Sequence, residues 1–114
     1  MRPLVCFLKE NSWLAKIAAR RLKSRQVALV VGRTIYLHGV SSAAFMQNTP
    51  WVRHEVCHVQ QYQRYGIPVF LFLYALECIR KGYYDNRFEE AARAAEKDPA
   101  ILHSGIEFRP GIRS

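Results

Sequence analysis

Between Thr49-Pro50 and Gly66 nothing in the chain interrupts a helix, and the middle of that run reads His54-Glu55-Val56-Cys57-His58. Threonine as cap, proline at the first helical position and glycine at the stop predict a helix over about 51–65. At about 100° per residue, the two histidines fall about 40° apart on one face and one turn apart along it, so their ring nitrogens can converge on one ion. Glu55 lies about 60° beyond His58. A carboxylate there is too far round to complete a first coordination shell, but well placed to hold and deprotonate a water on that ion. Trp51, Val56, Cys57 and Val59 are available to anchor the helix to a core, while Arg53, Gln60 and Arg64 can meet solvent. Cys57 is about 100° from His58 and is assigned to packing rather than to ligation.

H-E-x-x-H is the pattern of a zinc peptidase helix, and the competing reading is an exposed helix that carries two histidines by chance. Catalytic zinc usually takes three protein ligands and one water, so a third ligand must come from elsewhere. The longer H-E-x-x-H-x-x-G-x-x-H site is excluded, because Gln61 and Arg64 stand where it needs glycine and histidine. Glu89 and Glu90 follow about thirty residues on, after a hydrophobic segment long enough to return the chain alongside the first helix. Glu89 is preferred, although Asn86-x-x-Glu89 also matches a capping box. Glu90 would equally suit a solvated first-turn carboxylate, and Glu96, two turns on, is a weaker choice.

At 114 residues the chain suits one domain with one core, spanning 1–114. Its patterning predicts an α+β, mainly α fold. Leu4 to Leu8 suggests a short strand or a covering arm. Ser12 caps an amphipathic helix to about Lys23, with Trp13, Leu14, Ile17, Ala18 and Leu22 on its apolar face. Gln26–Val31, Gly32-Arg33 and Thr34–His38 read as a hairpin. Ser41-Ser42 caps a short turn through Phe45 and Met46. Residues 69–79 are apolar nearly all round and are expected to form a buried helix behind the H-E-x-x-H helix, ended by Gly82; an interfacial membrane helix is the alternative. Asn86 caps a last helix to about Lys97, stopped by Asp98-Pro99, and the tail from Ala100 is read as an extended cover or disordered.

Seventeen Lys and Arg against nine Asp and Glu leave a net charge of +8, which favours an anionic partner or surface. The cluster Arg20, Arg21, Lys23 and Arg25 carries no nucleic-acid fingerprint, so a solvated face is preferred and nucleic acid is not the expected partner. Three widely spaced cysteines argue against a disulfide framework. The start of the chain lacks a signal-peptide cleavage pattern, and a cytoplasmic location, with peripheral membrane contact as a variant, is the expectation.

Arg53-His-Glu-Val-Cys-His-Val-Gln-Gln-Tyr-Gln-Arg-Tyr-Gly66, followed by Lys81-Gly-Tyr-Tyr-Asp-Asn-Arg-Phe-Glu-Glu-Ala-Ala-Arg93, resembles small bacterial metallopeptidase-like proteins of the gluzincin type. Among them are the domain-of-unknown-function family 4157 and its relatives, in which an H-E-x-x-H-x-x-Q helix precedes an N-x-[FY]-E-x-E-A helix. The resemblance covers most of residues 11–96. It implies a minimal zincin-like domain binding Zn2+ through His54, His58 and Glu89, with Glu55 as general base and a peptide or protein as substrate. The second glutamate of E-x-E-A falls on Ala91 here. His38, Tyr83, Tyr84 and His103 are candidate donors to an oxyanion, and Thr34–His38 is a candidate edge strand for an extended substrate. The alternatives are a zinc-binding module without turnover, and a basic protein that binds nucleic acid or another anionic surface. The sequence does not set the oligomeric state.

Overall fold

The computed structural model describes residues 4–102 and 105–110. In chain order they form strand Leu4–Lys9 (β1), helix Trp13–Leu22 (α1), strands Val27–Val31 (β2) and Thr34–His38 (β3), and helices Ser42–Gln47 (α2), Thr49–Tyr65 (α3), Ile67–Asp85 (α4) and Arg87–Ala95 (α5). A short 3-10 turn, Pro99–Leu102, and strand Ile106–Pro110 (β4) complete them. The fold is α+β and mainly helical, with one sheet in the order β2-β3-β1-β4. The hairpin β2/β3 is antiparallel, pairing Val27 with His38 and Val31 with Thr34. β1 is parallel to both of its neighbours, with Phe7 opposite Thr34 and Leu4 opposite Ile106.

Side chains alternate across the sheet, and each face buries a different set. Cys6, Leu8, Val30, Ile35 and Leu37 pack with Val52, Val56 and Val59 of α3 in the main core. Val27 and Tyr36 point the other way, toward Ala15 and Ala19 of α1. A fully buried valine is worth roughly 1.5–3 kcal/mol, well above its helix-propensity cost of at most about 0.7 kcal/mol. Packing of the three valines therefore fixes how α3 is rotated, and with it the face on which the histidines lie.

Several expectations need correction. The first helix buries its alanines, Ala15 and Ala19, and leaves Trp13 and Ile17 exposed, because small residues let the helix approach the sheet closely. α3 is capped one residue early: the Asn48 side chain accepts from the Trp51 N–H, with Pro50 in the first turn. α4 is not a buried helix. Phe70 is its one buried residue, whereas Phe72 and Ile79 are 63% and 83% exposed. Gly82, with a φ of 81°, does end the regular helix as expected, and Tyr83–Asp85 form a further helical turn beyond the break. No helix among the described residues is long and apolar enough to cross a membrane. The extended cover read for the tail is present among the described residues as β4, which covers one edge of β1.

Candidate metal centre

α5 packs along α3, and Arg53 ties the two together by donating from Nη1 to the Glu96 carbonyl oxygen at 3.0 Å. The pairing brings the Glu89 carboxylate to 3.2 Å from both His54 Nε2 and His58 Nε2. One donor atom from each of the three residues lies within 4.8 Å of the other two, and the group could hold a metal ion. Ligands about 2.0–2.2 Å from a tetrahedral zinc stand roughly 3.3–3.5 Å apart, so this spacing needs little adjustment. The capping role that competed for Glu89 is not made by its carboxylate. The Asn86 side chain instead accepts from the Phe88 N–H at 2.8 Å, and the Tyr74 hydroxyl donates to Glu89 Oε2. Glu90 and Ala91 are exposed and stand outside the cluster.

The far sides of the two rings decide what belongs between them. His54 Nδ1 lies 2.7 Å from Glu96 Oε2, and His58 Nδ1 lies 2.8 Å from Gln61 Oε1. Gln61 is oriented by its own donation from Nε2 to the Phe88 carbonyl at 3.1 Å. Both partners are acceptors, so each Nδ1 carries a proton. A neutral ring then turns a bare Nε2 lone pair toward the Glu89 carboxylate, which is also an acceptor. Only positive charge relieves that opposition, either a second proton on each ring or a cation held by all three residues. Orientation of ligand histidines through Nδ1 is the usual outer support of a metal site, and the residues fit such an ion.

The titration behaviour expresses the same demand. Burial would depress His54, but its hydrogen bond with Glu89, the charge of Glu55 and its hydrogen bond with Glu96 raise it to about 9. Burial would depress His58 as well, but its hydrogen bond with Glu89, the charges of Glu55 and Glu89 and its hydrogen bond with Gln61 raise it. Burial would raise Glu89, yet hydrogen bonds from His54 and His58 hold it well below the usual carboxylate range. Glu55 goes the other way. Burial pushes it up to about 7 against the pull of His58 and His54, and Trp51 Nε1 donates to its Oε2 at 3.1 Å.

Glu55, the two histidines and Glu89 line a cavity of about 190 Å3 whose other walls are largely apolar. Residues 27–30 of β2, Leu22 of α1, and Phe70, Leu71, Tyr74 and Tyr83 of α4 contribute to that lining. Among the proposed oxyanion donors, Tyr83 lines this cavity; Tyr84 instead stacks under Arg93 at 4.0 Å. His38 sits on β3 outside the lining, and His103 lies outside the described residues. The expected edge strand is also corrected, because β3 is paired on both sides and the edge beside the site is β2. Cys57 stays out of the cluster, with its thiol pushed up to about 11, first by burial and then by the charges of Glu89 and Glu55.

Three residues of the site escape the sequence reading. Trp51, four before Glu55, and Gln61, three after His58, were within reach of helical spacing. Tyr74 becomes a neighbour only through the packing of α4 on α3. Glu96, weighed as a weaker ligand, instead stands at His54 Nδ1, outside the ligand group. Comparison with known proteins adds no assignment: no family model, curated protein or solved structure matches the chain.

Proposed function

We propose that the chain is a zinc-dependent peptidase of the gluzincin type, with His54, His58 and Glu89 as metal ligands and Glu55 as general base. The observation that carries this reading is the convergence of two Nδ1-anchored imidazoles and Glu89 on one point beside a buried carboxylate. Two imidazoles, one carboxylate and an open side toward a cavity suit zinc better than harder divalent ions. Zinc held there would supply Lewis acidity for a peptide carbonyl and its attacking water.

The chain's own residues supply the rest. Glu55, poised near neutrality by burial, takes the proton of the attacking water and returns it to the leaving amine. Trp51 fixes the carboxylate by its indole N–H. Tyr83, kept protonated by burial and by the charges of Glu89 and Glu55, is the donor available to a developing oxyanion. The outer edge of β2 offers unpaired backbone groups to an extended peptide, and the apolar cavity walls favour an apolar side chain next to the scissile bond.

The test is Glu55→Gln, assayed for metal content by elemental analysis and for cleavage of a peptide library. The reading expects about one zinc per chain in parent and variant, with hydrolysis in the parent lost in the variant by at least about a hundredfold. Equal activity in the two would remove Glu55 as base. Zinc with no hydrolysis in the parent would leave a metal-binding module, and a metal-free chain would overturn the site itself.

A further inference from the structure

The outward side of α4 is apolar and uncovered. Phe72, Leu76 and Ile79 recur at i, i+4 and i+7, opposite the buried Phe70 and the partly buried Leu73 and Tyr74. Two further exposed leucines, Leu71 of α4 and Leu22 of α1, both line the cavity. Exposed cations adjoin these apolar residues in the chain. Arg20, Arg21 and Lys23 surround Leu22 in the chain, and Arg80 follows Ile79. None of these four has an ion-pair partner among the described residues. Of the two acidic residues of α4, Glu77 is turned away from the stripe and engaged by Lys81 and Arg87, and Asp85 lies beyond the break at Gly82. At the end of α4 Tyr84 is exposed, and tyrosine with its polar tip suits a membrane–water boundary.

We propose that α4, together with the Leu22 end of α1, rests on an anionic lipid bilayer. The stripe of Phe72, Leu76 and Ile79 enters the boundary between headgroups and acyl chains, while Arg20, Arg21, Lys23 and Arg80 lie over anionic headgroups. α4 lies along the surface and does not span it, consistent with its length and apolarity. Charge selects this occupant. A second copy of a chain with net charge +8 would set unpaired cations against their own equals, whereas anionic headgroups neutralise them.

The test is co-sedimentation of the full chain with phosphatidylcholine vesicles, with and without phosphatidylglycerol. The chain is expected to bind the phosphatidylglycerol vesicles, to bind phosphatidylcholine alone far more weakly, and to lose affinity as salt is raised. A Phe72→Ser, Ile79→Ser variant should partition roughly tenfold or more less strongly. Arg20→Gln, Arg21→Gln and Arg80→Gln together change only exposed residues; that variant should keep the parent's circular dichroism and show weaker binding with a flatter salt dependence. No binding of the parent to phosphatidylglycerol vesicles, or equal binding to both compositions, overturns the proposal. So does a dimer in sedimentation velocity that the Phe72→Ser, Ile79→Ser variant dissolves, because a second copy would then be the occupant.

Discussion

Loading the metal-free chain with zinc at pH 7 should release about two protons. The magnitude follows from the hydrogen-bond arrangement. Glu96 and Gln61 each hold a proton on Nδ1 of their ring, and Glu89 holds a second proton on each Nε2, so both rings are imidazolium below about pH 9 in the case of His54. A ligand nitrogen must give up its proton, so one proton leaves per ring while the Nδ1 protons stay. Over the range in which both rings are charged, the affinity should therefore tighten roughly a hundredfold per pH unit. Titration calorimetry in buffers of different ionisation enthalpy counts the protons directly. Glu96→Gln removes one of the groups that raise His54 and should bring the pH above which its proton is no longer released down from about 9, while Glu89 and Glu55 still hold the ring above 6.5. Release of fewer than about one proton by the parent at pH 7 would refute the reasoning. It would mean that at least one ring already presents a free Nε2 lone pair to Glu89.

Removing a ligand distinguishes the neighbouring carboxylates: Glu89→Ala should weaken zinc binding by about a hundredfold or more, whereas Glu90→Ala, altering an exposed side chain, should leave it unchanged in a competition titration. Without metal, the raised His54 and His58 contribute stability that is fully present below 6.5 and is lost as pH rises through the folded-state value, about 9 for His54. Glu55, raised from 4.5 to about 7, costs stability over its own interval in the same direction, so thermal melts of the metal-free chain should fall from pH 6 to 9.5; a rise would contradict the assignment. Trp51→Phe deletes the N–H that favours ionised Glu55, and the acid limb of the rate profile should move to higher pH, by an amount read from kcat/KM against pH.

The parts of the site that lie within one helical turn were legible, because helical geometry alone fixes the relation of His54, Glu55 and His58. Glu89 was legible as one of three choices, ahead of the weaker Glu96, and the three-ligand requirement could not separate it from Glu90. Packing separates them: Phe88 turns into the core, which sends Glu89 toward α3 and Glu90 to solvent. The α1 face was misjudged because hydrophobicity ranks Trp13 and Ile17 above alanine, while close approach to the sheet rewards the smaller side chain. β4 carried no usable local signal, since a five-residue parallel strand is specified by its partner across the fold. The exposure of α4 was hidden because a uniformly apolar helix reads as buried, whatever it is destined to touch.

The position of β1 has a consequence for how the chain acquires its structure. The first described strand is an inner one, and its outer neighbour is the last, with Leu4 paired to Ile106. That pairing closes a loop of about a hundred residues, the slow kind of contact in folding. During synthesis the three helices that make the metal centre emerge before the sheet can be finished. Until β4 arrives, one side of β1 presents open backbone groups to any strand that comes near, so the nascent chain is most prone to wrong pairing at the stage when its histidines and Glu89 can already assemble. Metal captured at that stage would hold α3 and α5 together while the last strand is still to dock.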